Sequence, residues 1–184
     1  MGQIKVEHNA GGIEGLCVII PTVHGDKRGY FSETYNLRDM QEAGINISFV
    51  QDNQSSSTKG VLRGLHFQKE HPQTKLVRVI RGQVYDVAVD MRRGSRTLGK
   101  YYGIELTEDN HKQLLIPRGF AHGFLVLSDF AEFCYKCDDF YHPNDEGGII
   151  YNDPDINISW PAVDVPLNLS DKDKLLPTLK ELLS

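Results

Sequence analysis

Two short segments of this chain each set a histidine among strand-forming residues with a glycine close by: Arg63-Gly64-Leu65-His66-Phe67-Gln68 and Pro117-Arg118-Gly119-Phe120-Ala121-His122-Gly123-Phe124. An imidazole titrates near neutral pH, so it can take up or release a proton under physiological conditions. Two of them in otherwise apolar β segments point to a polar centre inside a β barrel, and so to a small-molecule site rather than a structural protein. A third motif, Cys134-Tyr135-Lys136-Cys137, has the C-x-x-C spacing of redox and zinc sites. That chemistry needs both thiols on one side. Residues 133–137 read as a strand, in which positions three apart face opposite ways, and zinc would want a second ligand pair that is missing.

The elements that must hold these residues are mostly strands. Apolar or alternating runs recur at 16–20, 29–35, 48–50, 61–67, 75–81, 83–90, 101–106, 113–116, 123–127 and 132–137, rich in Val, Ile, Tyr and Phe. Turn signals such as Arg81-Gly82, Arg93-Gly94-Ser95 and Glu146-Gly147-Gly148 separate several of them. This is the pattern of an all-β antiparallel sandwich or closed barrel. Helical signals are confined to 37–43 and to a C-terminal stretch at about 171–183, where Leu175, Leu176, Leu179, Leu182 and Leu183 share roughly one face. Pro177 limits the regular part of that helix to its last two turns. The first dozen residues and the last few are expected to be disordered.

With 184 residues, the chain can bury one good core and is too short for two comfortable domains, so residues 1–184 are expected to form a single domain. A net charge of -5 argues against a general nucleic-acid binder, which needs a basic face. A single anionic ligand remains compatible with a few convergent cations. No apolar run is long enough to span a membrane, the polar start Met1-Gly2-Gln3-Ile4-Lys5 lacks a signal-peptide core, and an odd number of cysteines, three, suits a reducing compartment. A cytoplasmic location is expected.

Pro117-x-Gly119-x-x-His122 resembles the second motif of the cupin superfamily, and Gly60 followed by His66 resembles the start of the first. The resemblance implies a cupin jelly roll. In metal-binding cupins the first motif continues as His-x-His. Here the second position is Gln68, a weak ligand, followed only by Glu70 and His71 in a loop, so a metal-free site is expected.

With the flanks included, the likeness narrows. Residues 60–68, Lys75-Leu76-Val77-Arg78-Val79, Val84-Tyr85-Asp86-Val87-Ala88-Val89-Asp90, 116–124, 131–136 and Ile158-Ser159-Trp160-Pro161 resemble, in order, the dTDP-4-dehydrorhamnose 3,5-epimerase family over about 15–173. What the resemblance implies is inversion of C3 and C5 in a dTDP-linked 4-keto-6-deoxyhexose, whose protons at those carbons are acidified by the C4 ketone. No cofactor is implied. Such a reaction needs a base, an acid on the opposite side of the ring, and a cation or donor for the enolate oxygen.

On this resemblance His66 is the base and Tyr135 the acid, while Lys75 lies near the C4 oxygen. The carboxylate that orients the base falls on Asp173, with Asp86 as the alternative, because Val84, Asp86, Ala88 and Asp90 share a strand face. Arg28, Arg63, His122 and Lys172 are implied around the nucleotide and sugar, and Glu33, Gln51, Asp52, Asn53 and Glu146 as polar contacts to the nucleotide. Tyr141 is placed to stack on thymine. Arg63 and His66 are three apart, so a regular strand would send them to opposite faces; Gly64 offers a bulge that would bring them together.

The resemblance also implies a homodimer in which N-terminal strands cross to the partner, so that Arg28 and Glu33 serve the neighbour's site. Rival readings are an epimerase of C3 or C5 alone, a 3,4-ketoisomerase, a metal-dependent cupin oxygenase, and a non-catalytic sugar-nucleotide binding module. Gln68 argues against the oxygenase. The presence of both a base and an acid candidate argues against the binding module.

Overall fold

The computed structural model describes residues 3–184. These residues form thirteen strands: β1 (Ile4–His8), β2 (Cys17–Pro21), β3 (Val23–Asp26), β4 (Gly29–Ser32), β5 (Gln51–Thr58), β6 (Leu62–Gln68), β7 (Lys75–Arg81), β8 (Gln83–Asp90), β9 (Tyr101–Thr107), β10 (Gln113–Ile116), β11 (Phe120–Val126), β12 (Phe130–Cys137) and β13 (Glu146–Gly148). Two short helices, α1 (Leu37–Glu42) and α2 (Leu179–Leu183), complete the framework. Six strands make one sheet in the order β1-β2-β10-β7-β12-β5, and five make the other in the order β13-β6-β11-β8-β9. Every strand pair is antiparallel. The architecture is a cupin-type jelly roll.

The two sheets face each other over a core that draws Val18, Val77, Leu114 and Phe133 from one and Val84, Ala88, Leu106 and Phe124 from the other. Both outer faces are also covered. Met40 of α1 and Ile45 pack on Cys17, Ile19, Leu76 and Leu115, while Ile149, Ile156, Ile158 and Leu179 pack on Leu65, Val87, Val89 and Ala121. Burial on both faces explains why β11 is buried along its whole length and reads as continuous apolar sequence instead of alternating.

Several local expectations change. Residues 48–50 are not a strand; the strand there starts at Gln51 and is polar, Gln-Asp-Asn-Gln-Ser-Ser-Ser-Thr. Its alternate residues Gln51, Asn53, Ser55 and Ser57 are the more buried ones, so its inward face is polar, and hydrophobic periodicity cannot register it. The expected disorder of the first dozen residues gives way to β1, which pairs with β2 from Ile4↔Pro21 to His8↔Cys17, and to a short turn at Ala10–Gly12. Met1 and Gly2 lie outside the described residues.

At the C-terminus, Leu175 belongs to a one-turn helix (Asp173–Leu175) and is 84% exposed, so it does not share the buried face. Pro177 separates it from α2. That helix starts at a reciprocal cap: Thr178 accepts from Glu181 N, and the Glu181 carboxylate accepts from Thr178 N at 2.7 Å.

Candidate active site

The strand that carries His66 also carries the device that aims it. On β11, His122 and Phe124 are two residues apart; opposite them on β6 stand His66 and Arg63, three apart. The extra residue is a bulge at Gly64-Leu65, and it turns Arg63 onto the face that His66 occupies. Only glycine suits the position. Its φ is +115°, and a Cβ there would meet the His122 carbonyl oxygen at 2.6 Å and Gly123 Cα at 2.7 Å.

A cleft of about 800 Å³ opens between the sheets. His66, Arg63 and His122 come from the five-stranded wall, whereas Lys75, Tyr135 and Asn53 come from the six-stranded wall, with Phe124 and Phe133 also lining the space. The loop 168–173 contributes Asn168, Ser170, Lys172 and Asp173. A second space of about 340 Å³ shares Asn53, His66, Lys75, Tyr135 and Glu146 with the first and adds Gln51 and Tyr141. His66 and Tyr135 therefore stand on opposite walls.

The carboxylate beside His66 is Asp173, not Asp86. Its Oδ1 accepts from His66 Nε2 at 2.7 Å, and its Oδ2 accepts from Gly64 N at 3.3 Å. One buried carboxylate thus fixes both the ring and the bulge, leaving Nδ1 as the ring's free acceptor. Burial lowers the His66 pKa, with Lys75 and Lys172 adding to the shift; the hydrogen bond and charge of Asp173 pull the other way. Asp86, the alternative, pairs with His122 at 2.8 Å.

Burial also raises the Tyr135 pKa, helped by Cys137 and opposed by Arg63, so the phenol stays protonated. Lys75, at the start of β7, has its pKa pushed down by burial, while Cys137 and Asp86 push it up. Phe133, Tyr135 and Cys137 alternate with Cys134, so the two thiols of the C-x-x-C spacing do lie on opposite faces, and all three cysteines are free.

The remaining expected residues divide. Asp52 is on the cleft rim, but Lys136 holds its carboxylate at 2.7 Å. Glu146 accepts from the Tyr141 hydroxyl at 2.7 Å and from Lys172. Arg63 Nε donates to Ser57 Oγ at 3.0 Å, a contact that the sequence reading missed because it lies in the polar strand β5. Arg28 and Glu33 do not line the cleft: Arg28 pairs with Asp26 within the β3–β4 hairpin, and Glu33 accepts from Asn36. Among the described residues no three His, Cys, Asp or Glu side chains converge as a metal site.

A jelly-roll barrel with a carboxylate-oriented imidazole on one wall, a phenol on the other and cations at hand supplies the parts that an isomerase shifting protons beside a carbonyl requires. The family model of dTDP-4-dehydrorhamnose 3,5-epimerase matches residues 11–181. A relative of that name from Methanothermobacter thermautotrophicus is 52% identical, the match covering 92% of each chain. The crystal structure of dTDP-6-deoxy-D-glucose-3,5-epimerase from Legionella pneumophila, in complex with dTDP-4-keto-L-rhamnose, superposes with a TM-score of 0.92 at 47% identity, covering 96% of this chain and 93% of that one. A 3'-monoepimerase from Streptomyces bikiniensis, in complex with dTDP-quinovose, gives 0.85 at 34%, covering 92% and 87%. The chain belongs to the dTDP-4-dehydrorhamnose 3,5-epimerase family.

Proposed function

We propose that this chain inverts C3 and C5 of dTDP-4-dehydro-6-deoxy-D-glucose, giving dTDP-4-dehydro-L-rhamnose. The observation that carries the reading is the placement of His66 and Tyr135 on facing walls of one cleft. Nδ1 of His66 takes the proton from C3 or C5. The electron pair of the broken C–H bond moves into an enolate with its charge on the C4 oxygen, beside Lys75. An approaching anion favours the charged ammonium, offsetting the desolvation that lowers this lysine's pKa. Tyr135 then donates its phenolic proton to the opposite face of the carbon, His66 releases the abstracted proton to solvent, and solvent returns a proton to the phenolate. The route needs no cofactor.

Arg63, His122 and Lys172 are assigned to the diphosphate and sugar, and Gln51, Asp52, Asn53 and Glu146 to polar contacts with the nucleotide, with Tyr141 packing on thymine. The 52% and 47% identities to double epimerases, against 34% to a single-site enzyme, favour inversion at both carbons. A homodimer is part of the proposal. It is supported by the β3–β4 hairpin, a separate two-stranded sheet on which Tyr30 and Phe31 are 64% and 70% exposed. This hairpin and the segment after it would bring Arg28 and Glu33 to a second copy's cleft. Among the described residues no helix is long and apolar enough to cross a membrane; with three free thiols, a cytoplasmic setting fits.

The test is NMR of the sugar nucleotide in deuterated water, following C3 and C5 separately. Wild-type protein should incorporate deuterium at both carbons and give the inverted product. Tyr135→Phe keeps the base, so it should still exchange substrate protons while forming little product. Equal loss of exchange and product in a folded Tyr135→Phe variant would remove Tyr135 from the acid role.

A further inference from the structure

Gln68 occupies the position where metal-binding cupins carry a second histidine, yet its carboxamide is engaged elsewhere. It is the last residue of β6 and is buried, at 7% exposure. Nε2 donates to the His71 carbonyl at 2.8 Å and, in a longer bond of 3.4 Å, to the Phe140 carbonyl; Oε1 accepts from His142 N at 2.7 Å. Two donors and one acceptor on a planar amide match two carbonyls and one N–H, a pattern that neither a carboxylate nor an apolar side chain of that length reproduces.

The two backbone groups that Gln68 holds on the far loop belong to Phe140 and His142, the residues on either side of Tyr141. The Tyr141 N–H is held by Gln51 Oε1 at 3.0 Å and its hydroxyl by Glu146. Glu146 in turn is the backbone partner of Gln68 in the β13–β6 pairing. The Gln68 amide therefore joins the loop after β6 to the turn that carries Tyr141, at the mouth of the smaller space. The His71 and His142 rings stack over this junction, 3.9 Å between centroids. We propose that Gln68 is a positioning residue for the sugar nucleotide, acting by holding Tyr141 in place. The proposal rests on the reading that Tyr141 packs against the nucleotide.

Gln68→Met keeps the length and removes all three bonds; Gln68→Glu keeps the shape and the acceptor but loses both donors. In the full chain, both should raise KM for the keto sugar nucleotide and the calorimetric Kd for dTDP about tenfold, with kcat held within about twofold. Tyr141→Ala should cost about as much affinity, and Gln68→Met added to it should cost no more. Unchanged affinity in both Gln68 variants, a fall in kcat at constant KM, or full additivity with Tyr141→Ala would each overturn the proposal. Failure of both variants to fold by circular dichroism would also overturn it, because the amide would then serve the fold and not the ligand. The dTDP affinity is read without turnover, so a wild-type chain that binds dTDP but exchanges no protons would sink the epimerase reading and leave this test standing.

Discussion

The two histidine–aspartate pairs of this barrel are close neighbours with different surroundings. His66 and His122 face each other in register across β6 and β11, and their aspartates lie at 2.7 and 2.8 Å. The His66 side chain is 37% exposed; that of His122 is 8% exposed, with Asp86 at 0%. Asp173 arrives on a turn from the far end of the chain, whereas Asp86 stands on β8, the strand next to β11. A base must reach substrate carbon and return its proton to solvent, and the more open pair suits that role better. The more buried pair ties β8 to β11 through the Asp86 carboxylate while the His122 ring still lines the cleft, and Asp86 Oδ1 is buried and unpartnered among the described residues.

The largest expected contrast is therefore between His66→Ala and His122→Ala. If His66 is the base, His66→Ala should lower deuterium incorporation and product formation by about 10²–10⁴-fold, the usual contribution of a positioned general base. His122→Ala leaves Asp86 buried without its partner. It should destabilise the protein by about 1–3 kcal/mol, the cost of leaving a buried acceptor without its hydrogen bond, read in urea unfolding. If His66→Ala turned over at the wild-type rate while folded, or His122→Ala unfolded at the wild-type midpoint, the division of labour would be wrong.

The next contrast is in pH. The His66 pKa is lowered from its ordinary value, so the neutral, base-competent imidazole persists below the usual histidine range, and the acid limb of kcat/KM should lie there too. Asp173 pulls that pKa upward. Asp173→Asn should shift the limb to still lower pH and lower the plateau, because the ring is then less basic and less firmly held. The same shift affects stability: a folded pKa below the unfolded one means that the unfolded chain binds more protons, so this contribution is present above the unfolded pKa and fades as pH falls through the window between the two. A limb in Asp173→Asn that moved to higher pH would contradict the pairing.

How much of this was legible in the sequence depends on which force dominated locally. The strands at 75–81, 83–90 and 113–116 stand where the apolar pattern put them, because core burial dictates both the pattern and the strand. The inward alternation of Asp86 with Val84 and Ala88 was equally readable, but parity could not say which histidine it would meet. β5 was invisible for the opposite reason: its inward face lines a polar cleft. Asp173 lies 107 residues from His66, and no local signal links them; the family resemblance alone singled it out. The bulge at Gly64 was implied by the demand that Arg63 and His66 share a face. The β3–β4 region carries no local signal for why Arg28 and Glu33 stand away from this chain's cleft.

The smallest expected effect separates binding from proton transfer on the strand where the two meet. Arg63 shares the bulged face with His66, and Ser57 accepts from its Nε at 3.0 Å, which orients the guanidinium into the cleft. A guanidinium pairing with a diphosphate makes charge-assisted bonds worth about 1.5–3 kcal/mol. Arg63→Ala should therefore weaken dTDP binding by roughly 10- to 150-fold in calorimetry, a conversion at about 1.4 kcal/mol per decade. Added salt should weaken wild-type binding in the same direction by screening the phosphate contacts. Ser57→Ala, which removes only the bond that orients the guanidinium, should cost less, about 0.5–1.5 kcal/mol. Both variants keep His66, Asp173 and Tyr135, so saturating substrate should still exchange its C3 and C5 protons. Unchanged dTDP affinity in a folded Arg63→Ala variant would mean that the bulge serves the base alone, and that the diphosphate is held by Lys172 and its neighbours.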